Sequence, residues 1–175
     1  GIVANNYNSF FTGTEDLINA TTHNVNLNYS SFNLFNYTNV FARISYSKTI
    51  DQINSNTIFE PGSVVSSSTL LNSPFDNERV TAFGRLGKTF NKIRTSIGGN
   101  FTYSKTYQFL NTQENTNETY SQGYNASVST NFRKAPNVSL RYRITLSDQS
   151  NTARATDFKS TTHIPSISFD AYIWN

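Results

Sequence analysis

The sequence predicts an all-β protein, and three observations support this prediction. Apolar and polar residues alternate with a period of two almost everywhere from His23 onward, and helical periodicity is nearly absent. Small neutral side chains (Asn, Ser and Thr) and large aromatic ones (10 Tyr and 14 Phe) are abundant. Charged residues make up only 14%, below the usual share of about a quarter. A chain this rich in aromatic residues is not expected to be disordered.

The alternation is clearest at residues 96–109. One face carries Ile97, Phe101 and Tyr103, and the other carries only Ser, Gly, Asn, Thr and Gln. The same pattern along the chain predicts seven strands, at about 23–33, 37–50, 79–90, 96–109, 118–132, 138–149 and 162–174. In each of them, aliphatic and aromatic residues favour one face and small polar residues the other.

The predicted connections alternate between three tight turns and three longer loops: Asn33–Asn36, Asn91–Lys92 and Arg133–Asn137, against Gln52–Asn77, Asn111–Asn117 and Ser150–Thr161. Short turns at one edge and long loops at the other are typical of outer-membrane barrels. A soluble sheet normally carries Lys and Glu on its outward face, whereas the polar face here is mostly neutral. We therefore predict a transmembrane antiparallel up-and-down β-barrel, whose apolar face meets lipid and whose polar face lines a lumen.

The tetrapeptide YSKT occurs twice, beginning at Tyr46 and at Tyr103. The two tyrosines follow predicted turns by ten and eleven residues, and ten residues of tilted strand climb about 23 Å, close to the apolar band of such barrels. Both are therefore predicted at one membrane boundary, in an aromatic girdle. Lys48 and Lys105 follow on the same face, where they can reach lipid phosphates. Alternatively, two strands of one sheet acquired similar residues by chance.

Four arginines are predicted on the polar face, where Asp170 is the clear carboxylate: Arg43, Arg85, Arg141 and Arg143. In a closed lumen, this positive charge would attract an anionic solute or hold an acidic plug element. Alternatively, the arginines pair with carboxylates from strands or domains outside this chain.

Several function classes are not expected. The net charge is only +3 and the basic residues are scattered, which argues against a nucleic-acid surface. There is no Cys. His23 and His163 lack further metal ligands nearby and are predicted at loop ends, so no metal site is predicted. The sequence has no phosphate-binding loop, serine elbow or suggestive carboxylate pair, and we predict neither an enzyme nor a cofactor.

Three stretches resemble a known family: "VTAFGRLGKTFNKIRTSIGGNFTYSKTYQF" (80–109), "TTHIPSISFDAYIW" (161–174) and "SSSTLLNSPFDNE" (66–78). From about Asn24 to the end, the chain is similar to the C-terminal barrel of outer-membrane proteins related to TonB-dependent receptors, of a type found in many Bacteroidetes-type genomes. The third stretch has Asp76-Asn77 where that family usually has Asp-Gly. The resemblance implies a large barrel in a Gram-negative outer membrane, surrounded by bilayer lipid and lipopolysaccharide. It also implies a plug domain, energised uptake of a bulky nutrient and, in some members, a surface lipoprotein.

The chain departs from that family in three ways. It has no plug or energy-coupling segment, its seven predicted strands are an odd number, and it ends on Asn175 behind Trp174. We therefore interpret the chain as a fragment, with residues 1–22 as an extracellular loop or strand remnant and residues 23–175 as barrel strands. The predicted function is the wall of a transport or receptor pore. The alternatives are a barrel that serves as a structural scaffold in an outer-membrane assembly, and a secreted β-sandwich adhesin or carbohydrate-binding module.

Overall fold

The computed structural model describes residues 2–6, 9–14, 16–59, 62, 66–133, 135–153 and 157–171. Within this part of the chain, eleven strands form one open mixed sheet: β1 Ile2–Asn6, β2 Ser9–Thr12, β3 Thr21–Asn33, β4 Thr38–Ile50, β5 Ile53–Phe59, β6 Ser66–Asn72, β7 Asn77–Phe90, β8 Ile93–Leu110, β9 Gln113–Thr130, β10 Asn137–Asn151 and β11 Phe158–Asp170. No helix among these residues is long and apolar enough to cross a membrane.

Seven long strands form an antiparallel meander in the order β3, β4, β7, β8, β9, β10, β11. They coincide with the seven strands that the sequence predicts, with shifts of a few residues at their ends. The all-β prediction is thus confirmed. The last strand was expected at 162–174 but runs from Phe158 to Asp170, and residues 172–175 lie outside the described part of the chain.

Four shorter strands lie outside the seven that the sequence predicts, although a strand remnant is one of the two interpretations given above for residues 1–22. The segment predicted as the loop Gln52–Asn77 contains β5 and β6, and the first 22 residues contain β1 and β2. Two of the resulting pairings are parallel, β2 with β6 and β5 with β8, so the expectation of a purely antiparallel sheet is wrong. The sequence pattern explains why these strands were missed. For example, β6 has the sequence SSSTLLN, in which apolar and polar residues do not alternate with a period of two.

The connections differ in length less than predicted. The expected loop Asn111–Asn117 is a two-residue turn at Asn111 and Thr112, because β8 and β9 continue pairing as far as Leu110↔Gln113. The turns at the opposite end span residues 34–37, 91–92 and 131–136, and the last connection spans 152–157. Only the insertion at residues 51–76 is markedly longer than the others.

The insertion joins the meander at a branch point around Tyr107. Beyond the start of β7, β5 takes over as the neighbour of β8, with Asn56 paired to Phe109. Between the two neighbours, the Tyr107 N–H donates to Asn77 Oδ1 (3.0 Å), and the Tyr107 carbonyl accepts from Asn54 Nδ2 (2.9 Å). Side-chain amides thus supply the backbone hydrogen bonds that neither strand provides there.

The β8–β9 turn suggests a stabilising substitution. Asn111 and Thr112 both have positive φ, 50° and 63°, and a β-branched residue is strained in that region. Thr112→Gly creates the Asn-Gly pair that such hairpin turns favour. We expect the free energy of unfolding to rise by about 1 kcal/mol, measured by urea titration of the full-length protein. The control is Thr106→Gly within β8, which should lower stability; a loss at Thr112 instead would show that the turn is unstrained.

Candidate functional site

The register gives the meander two different faces. The apolar face contains Val40 and its successive cross-strand partners Leu86, Ile97, Ala126 and Tyr142. The polar face contains the neighbouring row of Phe41, Arg85, Gly98, Asn125 and Arg143. Because the sheet is a single layer, large apolar side chains stay exposed: Leu27 is 66% exposed and Ile167 is 73% exposed. The two faces therefore differ in polarity.

The two YSKT tyrosines lie at one level of the apolar face. Tyr46 and Tyr103 are both paired with Val80, one from each side. Tyr120 extends the row on β9, with its ring centroid 4.7 Å from that of Tyr103. This aromatic row lies where the apolar part of the face ends, and its position at a membrane boundary stays a prediction.

The lysines of the repeat have partners within the protein. Lys48 Nζ lies 2.7 Å from Asp76 Oδ2, and Lys105 Nζ lies 3.1 Å from Glu118 Oε1. In addition, the Tyr46 hydroxyl donates to Glu78 Oε1 at 3.1 Å. The prediction that these lysines reach lipid phosphates did not take the neighbouring carboxylates into account. The register brings Glu78 and Glu118 into the lysine row, and single-strand alternation does not reveal cross-strand neighbours.

The structure places all five predicted lumen residues on the polar face, and Arg85 and Arg141 line one cleft there. Arg85 and Arg143 share a row but are separated by β8 and β9. Arg43 Nε donates to Asn28 Oδ1 across β3 and β4 (2.6 Å). Asp170 is paired with Asn137 near the end of β11, and the ion pairs of the described residues include none of these five side chains.

Sequence reasoning missed two further arginines on this face, Arg79 and Arg94. Arg79 lies an even number of residues from Arg85 in β7, and Arg94 lies two residues from Ser96 in β8. This spacing was sufficient to assign both arginines to the polar face. The described strands of the meander therefore carry six arginines and one carboxylate, Asp170, on the polar face. The opposite face carries their lysines together with their other carboxylates: Lys48, Lys88, Lys105 and Lys159, with Glu78, Glu114, Glu118 and Asp148.

Both histidines lie inside strands, His23 in β3 and His163 in β11, so their predicted place at loop ends is wrong. His163 Nδ1 lies 2.6 Å from the hydroxyl of Tyr142 on the adjacent strand β10, where its own register partner is Ile144. Among the described residues, no group of three His, Cys, Asp or Glu side chains is placed to hold a metal ion.

Chemically, the polar face offers hydroxyl, amide and guanidinium groups, and the apolar face offers hydrocarbon and aromatic rings. These groups could bind a partner through hydrogen bonds and charge on one face and through apolar contact on the other. Comparison of the chain with protein-family models, with curated proteins and with solved structures finds no match.

Proposed function

We propose that this chain forms part of the wall of an outer-membrane β-barrel of the kind found in TonB-dependent receptors. Its apolar face would contact lipid, and its polar face would line the lumen of a transport or receptor pore. The observation that carries the proposal is that no hydrophobic side chain is buried among the described residues. A sheet with a continuous apolar face and no core needs a partner for that face, and lipid is such a partner.

The exposed area supports the same proposal. The chain exposes 12805 Å², whereas a compact soluble monomer of 19.7 kDa would expose about 8,600 Å². Large apolar side chains contribute to the exposed area, and Leu27, Ile97 and Phe169 among them are 66%, 58% and 64% exposed. In water, a surface of this kind would drive association.

The height of the apolar face fits a bilayer. On β8 the apolar face runs from Ile93 to Tyr103, a distance of ten residue steps along the strand. At a strand tilt near 45°, this distance climbs about 23 Å, against an apolar band of about 25 Å in such barrels. The tyrosine row at one end matches the aromatic girdle that these barrels place at the interface.

The proposed location is the cell outer membrane, and the proposed partners follow from the two faces and the two edges. Bilayer lipid and lipopolysaccharide would cover the apolar face. β3 and β11 each have one edge without a partner strand in the described part of the chain, and further strands of the same barrel would pair with them. A plug domain and a surface lipoprotein are further proposed partners, from the resemblance alone.

A scaffold role in an outer-membrane assembly is the second candidate. The observation that favours it is the side sheet of β1, β2, β6 and β5, which extends the meander at one end. Its hydrogen-bonding Asn, Ser and Thr side chains offer a surface for another protein. The β-sandwich alternative would need two packed sheets with a core between them, whereas the described strands form one sheet.

The experiment that tests the proposal is fractionation of the full-length protein with and without detergent, followed by electrophoresis of boiled and unboiled samples. A lipid-facing barrel should be recovered only with detergent and should change mobility on heating. Uptake or conductance by the same preparation would favour the transport role over the scaffold role. A monodisperse protein in plain buffer would contradict both and favour a secreted domain.

A further inference from the structure

We infer that the polar face binds oxyanions, meaning a solute that carries phosphate, sulfate or carboxylate groups, in a cleft between Arg85, Arg94 and Arg141. The inference rests on the proposed function in one respect, since it names the substrate class that the proposed lumen would favour. The cleft itself is a feature of the folded sheet and can be tested separately.

The cleft lies toward the short-turn end of the polar face and has a volume of about 460 Å³. Its three arginines come from β7, β8 and β10, so they approach it from different sides. Between them lie neutral hydrogen-bonding side chains: Asn39, Ser96, Ser127, Ser129 and Ser139. A cleft of this size accommodates a small solute with several polar groups.

The register explains why these groups converge. Ser127 on β9 is paired with Ser96 on one side and Arg141 on the other. Two residues further along β9, on the same face, Ser129 is paired with Arg94 and with Ser139. Ser96 is 8% exposed, and its hydroxyl lies 2.8 Å from that of Ser127. The serines therefore form the base of the cleft, and the longer arginine side chains line its sides.

The charges at the cleft are unbalanced. Among the described residues, no Asp or Glu lines it, and all three of their ion pairs involve lysines rather than these arginines. Arg43, outside the cleft, differs because Asn28 already accepts a hydrogen bond from it. A guanidinium presents several N–H donors in a planar fork that matches an oxyanion. Several such groups around serine hydroxyls therefore form a receptor for a multiply charged anion.

The distribution of lysines and arginines between the two faces of the sheet also supports oxyanion binding. Solubility alone would be served equally by Lys or Arg on either face. Instead, three of the four lysines in the described meander, Lys48, Lys105 and Lys159, form ion pairs with carboxylates. The fourth, Lys88, lines the cleft, and all six arginines of these strands lie on the polar face. The cation that recognises oxyanions through two parallel hydrogen bonds thus lies on the side proposed to face solutes.

The test is calorimetric titration of the full-length protein in a neutral detergent at low chloride concentration. Inorganic phosphate, sulfate and citrate serve as separate probes, so that the three sources of an oxyanion are distinguished. We compare the wild type with the Arg85→Gln/Arg94→Gln/Arg141→Gln triple variant and with Arg141→Gln alone. The matched control is Arg79→Gln, which removes a charge from the same face but outside the cleft.

We expect the wild type to bind at least one probe with a Kd of about 1 mM or tighter. The triple variant should bind it at least about tenfold more weakly, and Arg79→Gln should stay within about twofold of the wild type. An absence of binding by the wild type, unchanged binding by the triple variant, or an equal loss with Arg79→Gln would each overturn the inference. If the triple variant does not fold, the binding of Arg141→Gln is compared with that of the wild type and of Arg79→Gln instead, and unchanged binding by Arg141→Gln would overturn the inference.

The mobility shift on heating is recorded for every variant, because it separates the two proposals. A heat-modifiable protein that binds no anion contradicts the oxyanion site alone. Anion binding by a protein that is soluble without detergent contradicts the membrane barrel and leaves the cleft in place.

Discussion

Ile144→Arg is expected to lower the free energy of unfolding by about 2–4 kcal/mol, whereas Thr145→Arg should lower it by less than about 1 kcal/mol. The two positions are adjacent in β10 and project to opposite faces of the sheet. Ile144 is paired with Tyr124, which lies four residues from Tyr120 and six from Thr130 along β9. It therefore occupies the middle of the apolar face, where lipid would penalise a charge most if this face lies against a bilayer as proposed.

The measurement is urea unfolding of the full-length protein in lipid vesicles, with the heat-dependent gel shift as the readout of folded protein. Thr145→Arg is the matched control, because it adds the same side chain at the same depth on the polar face. Equal losses for both variants would show that the faces have similar surroundings and would contradict a lipid-facing wall. A small effect of Ile144→Arg would indicate water or a polar partner against the apolar face.

Asn77→Ala is the second substitution with a large expected effect, a loss of about 1–3 kcal/mol. It removes the acceptor for the Tyr107 N–H at the branch point, where neither β7 nor β5 supplies a backbone partner. A partly buried N–H without a partner retains its desolvation cost. The insertion should detach from β8 more readily, and hydrogen exchange of the Tyr107 amide should accelerate.

The control for Asn77→Ala is Asn24→Ala, since the Asn24 side chain lies on the polar face of β3 and has no hydrogen-bond partner among the described residues. Stability is measured by urea titration, and exchange is measured at Tyr107 and at a distant amide such as that of Ile97. Faster exchange at both amides would indicate global loss of stability instead of local opening. Unchanged exchange at Tyr107 would mean that water replaces the Asn77 side chain at no cost.

The sequence was sufficient to predict the seven long strands and the faces of their residues, because both follow from the alternation along a single strand. Tyr46, Arg85 and Arg143 could be assigned to a face without knowledge of any neighbouring strand. The short strands β5 and β6 could not be predicted, because Asn, Ser and Thr occupy both of their faces. Pairing with β6 and β8 holds β5, and pairing with β5 and β2 holds β6. These pairings cannot be inferred from the composition of the two strands.

The candidate site required knowledge of the register. Alternation predicts that Lys105 is on the apolar face but not that Glu118 lies opposite it. In the same way, the convergence of Arg94 and Arg141 on one serine cluster depends on how β9 is aligned between β8 and β10. A slip of one residue in that alignment would move every β9 side chain to the opposite face, so the cleft follows from pairing and not from local sequence.

The outermost strands of the meander, β3 and β11, point in the same direction, because six antiparallel pairings separate them. In a ring of identical copies rotated about a common axis, β11 of one copy would meet β3 of the next as a parallel neighbour. A parallel pair differs from the pairs of the meander, which are antiparallel and can be joined by a short hairpin turn. The two borders of the meander can therefore pair directly only as parallel strands, and only an odd number of additional strands can close the meander with every pair antiparallel.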